Sequence, residues 1–145
     1  MASEPLEASI RIDASPERVY EYFVEPEAML RWMGDFALLD ATPGGEFTLD
    51  INSVPVRGRY LELEPPSRLL ISWGHAGSDL LPPGSSTLEV RLRADGGGTI
   101  VEIVHRDLPD VEARKHAVGW RIFLDRLAIA APGGDPGPFT SQEES

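Results

Sequence analysis

The chain of 145 residues contains no cysteine and a single lysine. The lack of cysteine excludes disulfides, a thiolate nucleophile and a thiolate metal site. A Schiff-base enzyme would depend on Lys115 alone, which lies in a polar part of a predicted helix. No apolar run approaches the roughly 18 residues that a membrane span requires. The acidic N-terminal segment lacks an apolar signal region, so we expect no secretory signal and a cytoplasmic location.

Positive charge is scarce, since 13 Lys and Arg residues stand against 24 Asp and Glu, a net charge of −11. This field repels phosphate backbones and anionic lipid head groups, which argues against nucleic-acid and membrane partners. The length and the hydrophobic content of 41% are those of one globular domain with its own core. We predict a single domain at residues 1–131. A disordered, acidic tail is predicted at 132–145, which is rich in Pro and Gly and then polar.

The first part of the chain predicts a strand, two short helices and then a series of strands. Residues 6–12 alternate apolar with polar side chains, the pattern of a half-buried strand. Ser15 and Pro16 suit the cap and the first position of a helix, and a second short helix begins at Pro26. About six strands follow, separated by turns rich in Gly and Pro. We expect residues 75–85 to form an exposed loop.

The segment Asp110 to Ala131 has no proline and predicts a long C-terminal helix. Its apolar residues cover a broad arc, which predicts a largely buried helix. They are Val118, Trp120, Ile122, Phe123, Leu124, Leu127 and Ile129. The order of elements predicts an α+β fold, with a curved antiparallel sheet of six to seven strands wrapped around this helix. We expect Gly119 to mark a close approach of the helix backbone to the sheet.

Five segments occur in this order: ASPERVYEYFVEPEAMLRWMG, TPGGEFTL, RGRYLELEPPSRLLISW, GGTIVEIVHRDL and HAVGWRIFLDRL. Together they resemble the START-like helix-grip superfamily and, within it, the homologues of the activator of heat-shock-protein ATPase. The resemblance covers about residues 6–131. It implies a seven-stranded sheet that grips the C-terminal helix, with a cavity between them. Members of the superfamily bind lipids, polyketides, hormones or other apolar small molecules, and some cyclise polyketides.

Candidate ligand-binding residues lie where a helix grip would surround a cavity. They are Trp32, Phe36, Trp73, His105, His116, Trp120 and Phe123. Aromatic rings supply rigid apolar contact area for a ligand, and the plainer alternative is that they close the core. His105 shares a strand face with Val101 and Ile103, which the helix grip places inward, so its imidazole can donate to or accept from a ligand oxygen. A core histidine that is satisfied by its neighbours is the plainer alternative.

Other chemistry finds little support in the sequence. His75, His105 and His116 lack the spacing of metal ligands, and we expect neither a metal nor a cofactor. The glycines at 96–98 precede a predicted strand, so they cannot form a phosphate site at the start of a helix. His105 with Asp107 or Glu102 is an acid–base grouping that could serve catalysis, but we assign no catalytic residue.

Three functions remain open. The first is a small binding protein that holds an apolar or aromatic molecule, such as a lipid or a polyketide, between the sheet and the helix. The second is a cyclase or hydrolase acting on polyketides, with His105 as its acid or base. The third is a stress-related or chaperone-accessory protein whose acidic surface binds a basic partner. A homodimer is compatible with the sequence in each case.

Overall fold

The computed structural model describes residues 5–137, which form seven strands and three helices. In chain order they are β1 (Leu6–Ile12), α1 (Pro16–Val24), α2 (Pro26–Met29), β2 (Phe36–Leu39), β3 (Glu46–Ile51), β4 (Val54–Glu64), β5 (Arg68–Trp73), β6 (Ser86–Asp95), β7 (Gly98–Arg106) and α3 (Asp110–Ala130). The predicted α+β class, including two short helices after the first strand, is confirmed. Within the described residues, no helix is long and apolar enough to cross a membrane.

The seven strands form one antiparallel sheet in the order β1-β7-β6-β5-β4-β3-β2. Strands β2 to β7 are neighbours in the sheet as they are in the chain, whereas β1 crosses over to pair with β7. The face of β7 that carries Val101, Ile103 and His105 is buried, as the resemblance to the helix grip implied. The long helix α3 contacts β1 and lies across this same face. The core therefore lies between this face of the sheet and α3.

Helix α1 begins as its sequence predicts. The Ser15 hydroxyl accepts a hydrogen bond from the backbone N–H of Arg18 at 3.2 Å, and Pro16 occupies the first turn. At the other end of the helix, the hydroxyl of Tyr60 in β4 donates to the carbonyl of Phe23 at 2.7 Å. This buried hydrogen bond ties α1 to the centre of the sheet.

Helix α3 buries only one of its sides. The buried apolar residues are Trp120, Phe123, Leu124, Leu127 and Ala130. Val118, Ile122 and Ile129 are exposed, so the prediction of a largely buried helix is wrong. At 3.6 residues per turn, these three side chains project from the side opposite Leu127. A single sheet covers one side of a helix and leaves the other in solvent.

The connection between β5 and β6 is mostly exposed, as its composition predicts, but it is anchored to the core. Leu81 is fully buried, and its carbonyl accepts a hydrogen bond from the N–H of His75 at 2.8 Å. Gly74 approaches Pro82 so closely that a Cβ would lie 1.9 Å from the Pro82 carbonyl oxygen. A side chain has no room at position 74. The connection therefore folds back on itself and presents His75 to α3.

The start of the predicted tail, residues 132–137, belongs to the described part of the chain. The N–H of Gly133 donates to the carbonyl of Ala130, and that of Gly134 to Ile129, both at 2.9 Å. These bonds hold the chain against the end of α3. The remainder of the predicted tail, residues 138–145, lies outside the described residues.

A buried carboxylate joins three strands on the face of the sheet away from α3. Glu89 in β6 accepts hydrogen bonds from Arg68, Arg91 and Arg106, at 2.8, 3.0 and 3.0 Å. Burial by itself raises the pKa of Glu89, but the three guanidinium groups outweigh it and lower that pKa to about 2. The network ties the adjacent strands β5, β6 and β7 to one another.

Two buried tyrosines offer a matched test of hydrogen bonding in this core. In Tyr60→Phe the carbonyl of Phe23 loses its donor, so we expect the free energy of unfolding to fall by about 1–2 kcal/mol. The hydroxyl of Tyr20 is buried without a partner among the described residues. Tyr20→Phe should therefore leave the free energy of unfolding unchanged or slightly higher. Urea denaturation measures both, and an equal loss in the two variants would contradict the bond to Phe23.

Candidate ligand-binding site

A cavity of about 350 Å³ lies between the N-terminal half of α3 and the sheet. Its lining is formed by Met33, Ile51, Val54, Val56, Trp73, His75, Glu112, Lys115, His116, Gly119, Trp120 and Phe123. Most of these residues are apolar or aromatic, and the polar ones are grouped on α3 and at His75. The volume falls in the range of about 300–1,000 Å³ that is usual for small-molecule sites.

Four of the seven predicted binding residues line this cavity: Trp73, His116, Trp120 and Phe123. His105 is buried behind the two tryptophans and is not among the lining residues. Its ring centroid lies 5.6 Å from that of Trp73 and 6.2 Å from that of Trp120. The inward strand face of His105 was predicted correctly, but its neighbours separate it from the space.

The remaining two predicted residues lie away from the cavity. Trp32 is buried in the core, where its indole N–H donates to the carbonyl of Tyr22 at 2.9 Å and its ring meets Phe23 edge-on. Phe36 is half exposed on the edge strand β2. The segment after α2 instead presents Met33, the neighbour of Trp32, to the cavity. The geometry gives no support to ligand contact by Trp32 or Phe36.

A chain of hydrogen bonds joins α3 to the sheet behind the cavity. The indole N–H of Trp120 donates to Nδ1 of His105 at 3.1 Å. Because Nδ1 accepts, the ring proton of neutral His105 lies on Nε2, which donates to the hydroxyl of Ser86 at 3.0 Å. That hydroxyl donates in turn to the carbonyl of Trp73 at 2.7 Å. Both ring nitrogens of His105 are thus engaged within the protein.

The structure brings together the three histidines that are far apart in the sequence. The ring centroids of His105 and His116 lie 5.2 Å apart, and the rings of His75 and His116 stack at 5.6 Å. Burial lowers the pKa of all three rings, and the repulsion that a protonated His116 would exert lowers the pKa of His75 and His105 further. In the described part of the chain, no group of three or more His, Cys, Asp or Glu residues could hold a metal ion.

The first turns of α3 form the polar end of the cavity. Nδ1 of His116 donates to the backbone carbonyl of Glu112 at 2.9 Å. The buried carboxylate of Glu112 lies 3.6 Å from His116 Nδ1 and 3.8 Å from the ammonium of Lys115, whose side chain is 69% exposed. Both distances exceed that of a hydrogen bond. Neither contact therefore uses the acceptor capacity of this carboxylate.

Two features of the wall bear on what the cavity can hold. A Cβ at Gly119 would meet nothing within 4 Å, so the predicted close approach to the sheet is wrong and the glycine leaves open space beside Trp120. The indole N–H of Trp73 is buried and has no hydrogen-bond partner among the described residues. An unpaired buried donor costs about 1–3 kcal/mol.

Sequence reasoning missed several lining residues, of which His75, Val56 and Glu112 are the most informative. An isolated antiparallel bridge joins Val56 to His75 and continues the sheet beyond the end of β5. The Gly- and Pro-rich composition after Trp73 hid this extension. Glu112 did carry a signal, because it precedes His116 by four residues and must share its face of the helix.

The seven-stranded sheet, the long helix across it and the cavity between them define a helix-grip protein. The chain belongs to the family described as "Activator of Hsp90 ATPase homolog 1-like protein", whose sequence model matches residues 13–131. The resemblance drawn from the five segments is confirmed. Among functionally curated proteins, none matches the chain.

Solved structures with this fold include three from bacteria. An AHSA1-like protein from Rhizobium etli is 37% identical, with 97% of this chain and 94% of the other covered and a TM-score of 0.68. CalU16 from Micromonospora echinospora is 31% identical over 91% of this chain and 68% of its own, with a TM-score of 0.74. The Aha1 dimer from Colwellia psychrerythraea is 21% identical over 91% and 98%, with a TM-score of 0.77. At that identity the last likeness is one of fold.

The neutral histidines should make the protein sensitive to acid. Above the ordinary histidine pKa of about 6.5, the rings are neutral in both the folded and the unfolded chain. Below it the unfolded chain takes up protons that the folded core resists, so the free energy of unfolding should fall between about pH 6.5 and 5. The fall should reach up to about 1.4 kcal/mol per pH unit for each fully buried ring. Urea denaturation across this range measures it.

The variant His116→Gln removes one of these rings and should make the fall shallower. Glu89 acts in a separate range, because the stability from its lowered pKa is lost only as the pH falls below about 4.5. If His116→Gln and the unaltered protein show the same slope between about pH 6.5 and 5, His116 is not one of the groups responsible.

Proposed function

We propose that this protein binds a planar, largely apolar small molecule in the cavity between α3 and the sheet. The observation that carries the proposal is the aromatic wall formed by Trp73, Trp120 and Phe123 around a space of about 350 Å³. The Trp73 and Trp120 rings are tilted by 49° with centroids 5.6 Å apart. Rigid aromatic walls of this kind favour contact with another flat, apolar surface.

The polar end of the cavity narrows the class of ligand. The carboxylate of Glu112 can accept hydrogen bonds from a ligand. The ammonium of Lys115 lies 3.8 Å from it but extends into solvent, and the net charge of −11 disfavours anions. A ligand oxygen that reached the N–H of Trp73, after a small movement of the ring, would remove the cost of that unpaired donor. The ligand that we propose is neutral or cationic, with an N–H or O–H donor for Glu112 and a carbonyl acceptor. A fatty acid fits this site poorly.

A cyclase or hydrolase that uses His105 receives less support. Both nitrogens of this ring are bonded to Trp120 and Ser86, behind the cavity wall. Asp107 lies in the turn after β7 with an exposed side chain. Neither group lies where it could exchange a proton with a molecule in the cavity. Binding without turnover is therefore the function that the geometry supports best.

A chaperone partner is a second candidate, and its support is of a different kind. It is favoured by the family description, which refers to an activator of Hsp90 ATPase, and by the excess of acidic residues in the chain. No feature of the described cavity bears on it. A homodimer is likewise a proposal, and the Colwellia neighbour, which is described as a dimer, offers a precedent within the same fold.

Filling the space beside Gly119 should weaken binding in the cavity. The neutral dye N-phenyl-1-naphthylamine, which fluoresces in apolar sites, is a suitable probe. We expect Gly119→Leu to weaken dye binding at least about tenfold, because its side chain enters the open space beside Trp120. Helix stability should rise, since glycine costs about 1 kcal/mol in a helix interior. Fluorescence titration and thermal denaturation measure the two effects.

Ala117→Leu is the matched control, because it adds an apolar side chain to the same helix at an exposed position that does not line the cavity. Its affinity for the dye should equal that of the unaltered protein. A dye that fails to bind the unaltered protein, or that binds Gly119→Leu as tightly, would overturn the proposed function.

The role of Glu112 is tested by a pair of flat molecules that differ in one donor. Acridone has a carbonyl and an N–H, whereas N-methylacridone lacks the N–H. We expect acridone to bind about tenfold more tightly or better, since a hydrogen bond to a charged group contributes about 1.5–3 kcal/mol. In Glu112→Leu this preference should disappear. Displacement of the naphthylamine dye measures all four affinities.

An anionic probe and a control variant complete this experiment. Anthracene-9-carboxylate should bind more weakly than acridone to the unaltered protein and should gain affinity in Glu112→Leu. Glu7→Leu removes a carboxylate from an exposed site on β1 and should retain the preference for acridone. If the dye binds but acridone and its methyl derivative bind equally, the proposed hydrogen bond to Glu112 is wrong. The proposal that the apolar cavity binds a ligand is then retained.

A further inference from the structure

We propose that two copies of this chain associate through the solvent-facing side of α3, with the two helices antiparallel. Four apolar side chains on this side are exposed: Val111 by 45%, Val118 by 62%, Ile122 by 38% and Ile129 by 47%. At 3.6 residues per turn they form one narrow stripe, opposite the side that packs on the sheet. Single exposed apolar residues are ordinary on a monomer, whereas an aligned stripe marks a surface that another helix can cover.

The stripe follows the seven-residue repeat of helices that pack along each other. Val111 and Val118 are seven residues apart, as are Ile122 and Ile129, and Ile122 follows Val118 by four. These are the spacings of the two inward positions of a heptad. The two remaining positions of the seam hold Lys115 and Asp125, both of which are exposed. The seam spans about 27 Å of helix, at 1.5 Å per residue.

The seam is symmetric about position 120, since each of its residues has a counterpart at an equal distance on the other side. The pairs are Val111 and Ile129 at nine residues, Lys115 and Asp125 at five, and Val118 and Ile122 at two. A twofold axis at this position places each residue against its counterpart on the second copy, as in any isologous interface. Apolar side chains then meet apolar ones, and Lys115 of each copy meets Asp125 of the other.

The charges select the antiparallel orientation. In a parallel pair, Lys115 would meet Lys115 of the second copy, and Asp125 would meet Asp125, so that like charges would lie in contact. The antiparallel pair replaces both contacts by ion pairs and keeps the four apolar layers. Arg121 flanks the seam near the axis, where the two copies repel each other. Because of this repulsion and the short seam, we expect a reversible dimer with micromolar affinity.

Sedimentation equilibrium over a range of protein concentrations tests the interface. The unaltered protein should pass from monomer to dimer as its concentration rises. Val118→Glu should remain a monomer, because the seam would bury the new carboxylate against Ile122 of the second copy. The control is Leu80→Glu, which replaces an apolar side chain of similar exposure in the loop between β5 and β6. Leu80→Glu should dimerise normally, and circular dichroism should show the same fold in all three proteins.

An exchange of charges tests the orientation. Lys115→Glu and Asp125→Lys should each weaken the dimer about fivefold or more, since each creates like-charge contacts in the seam. The double variant should restore the affinity, because the ion pair re-forms in reverse between the two copies. An unaltered protein that stays monomeric at about 0.5 mM, well above micromolar affinity, a dimer that survives Val118→Glu, or a double variant without recovery would each overturn the proposal.

Discussion

The hydrogen bond from the indole of Trp120 to Nδ1 of His105 determines how α3 sits on the sheet. It is the first link of a buried chain that continues through Ser86 to the backbone of Trp73. In a core of low dielectric, breaking one of these hydrogen bonds leaves an unpaired polar group, so the hydrogen bonds stabilise one another. The chain anchors the middle of α3, and the cavity opens where the helix runs on toward its N-terminus.

Much of this arrangement could be predicted because it depends on local pattern. Alternation placed His105 on the same strand face as Val101 and Ile103, and turn residues marked the strand ends. The resemblance to the helix grip, rather than the alternation, placed that face inward. Which aromatic ring borders a space depends instead on the distance between elements. Trp32 and Met33 are neighbours in the chain, yet the tryptophan fills the core and the methionine faces the cavity. In an irregular segment, a shift of one residue decides whether a side chain packs in the core or lines the cavity. No local sequence pattern predicts that shift.

The histidine cluster and the outer side of α3 show two further limits of sequence reasoning. His75 reaches His116 because the chain after β5 extends the sheet and then folds back, a long-range event that its Gly- and Pro-rich composition conceals. Val118 and Ile122 were expected in the core because they are apolar. Hydropathy indicates that a side chain avoids water. It does not indicate whether the side chain is covered by its own domain or by another molecule.

Gly119 affects the volume of the cavity but not the packing of α3 on the sheet, whereas most helix positions affect both. It lies between the anchored and the open parts of α3, and its missing side chain contributes nothing to the core. Replacements of graded size at this position would shorten the cavity step by step while the anchor at Trp120 stayed intact. A single codon can thus change the size and shape of the cavity without a compensating change elsewhere in the helix.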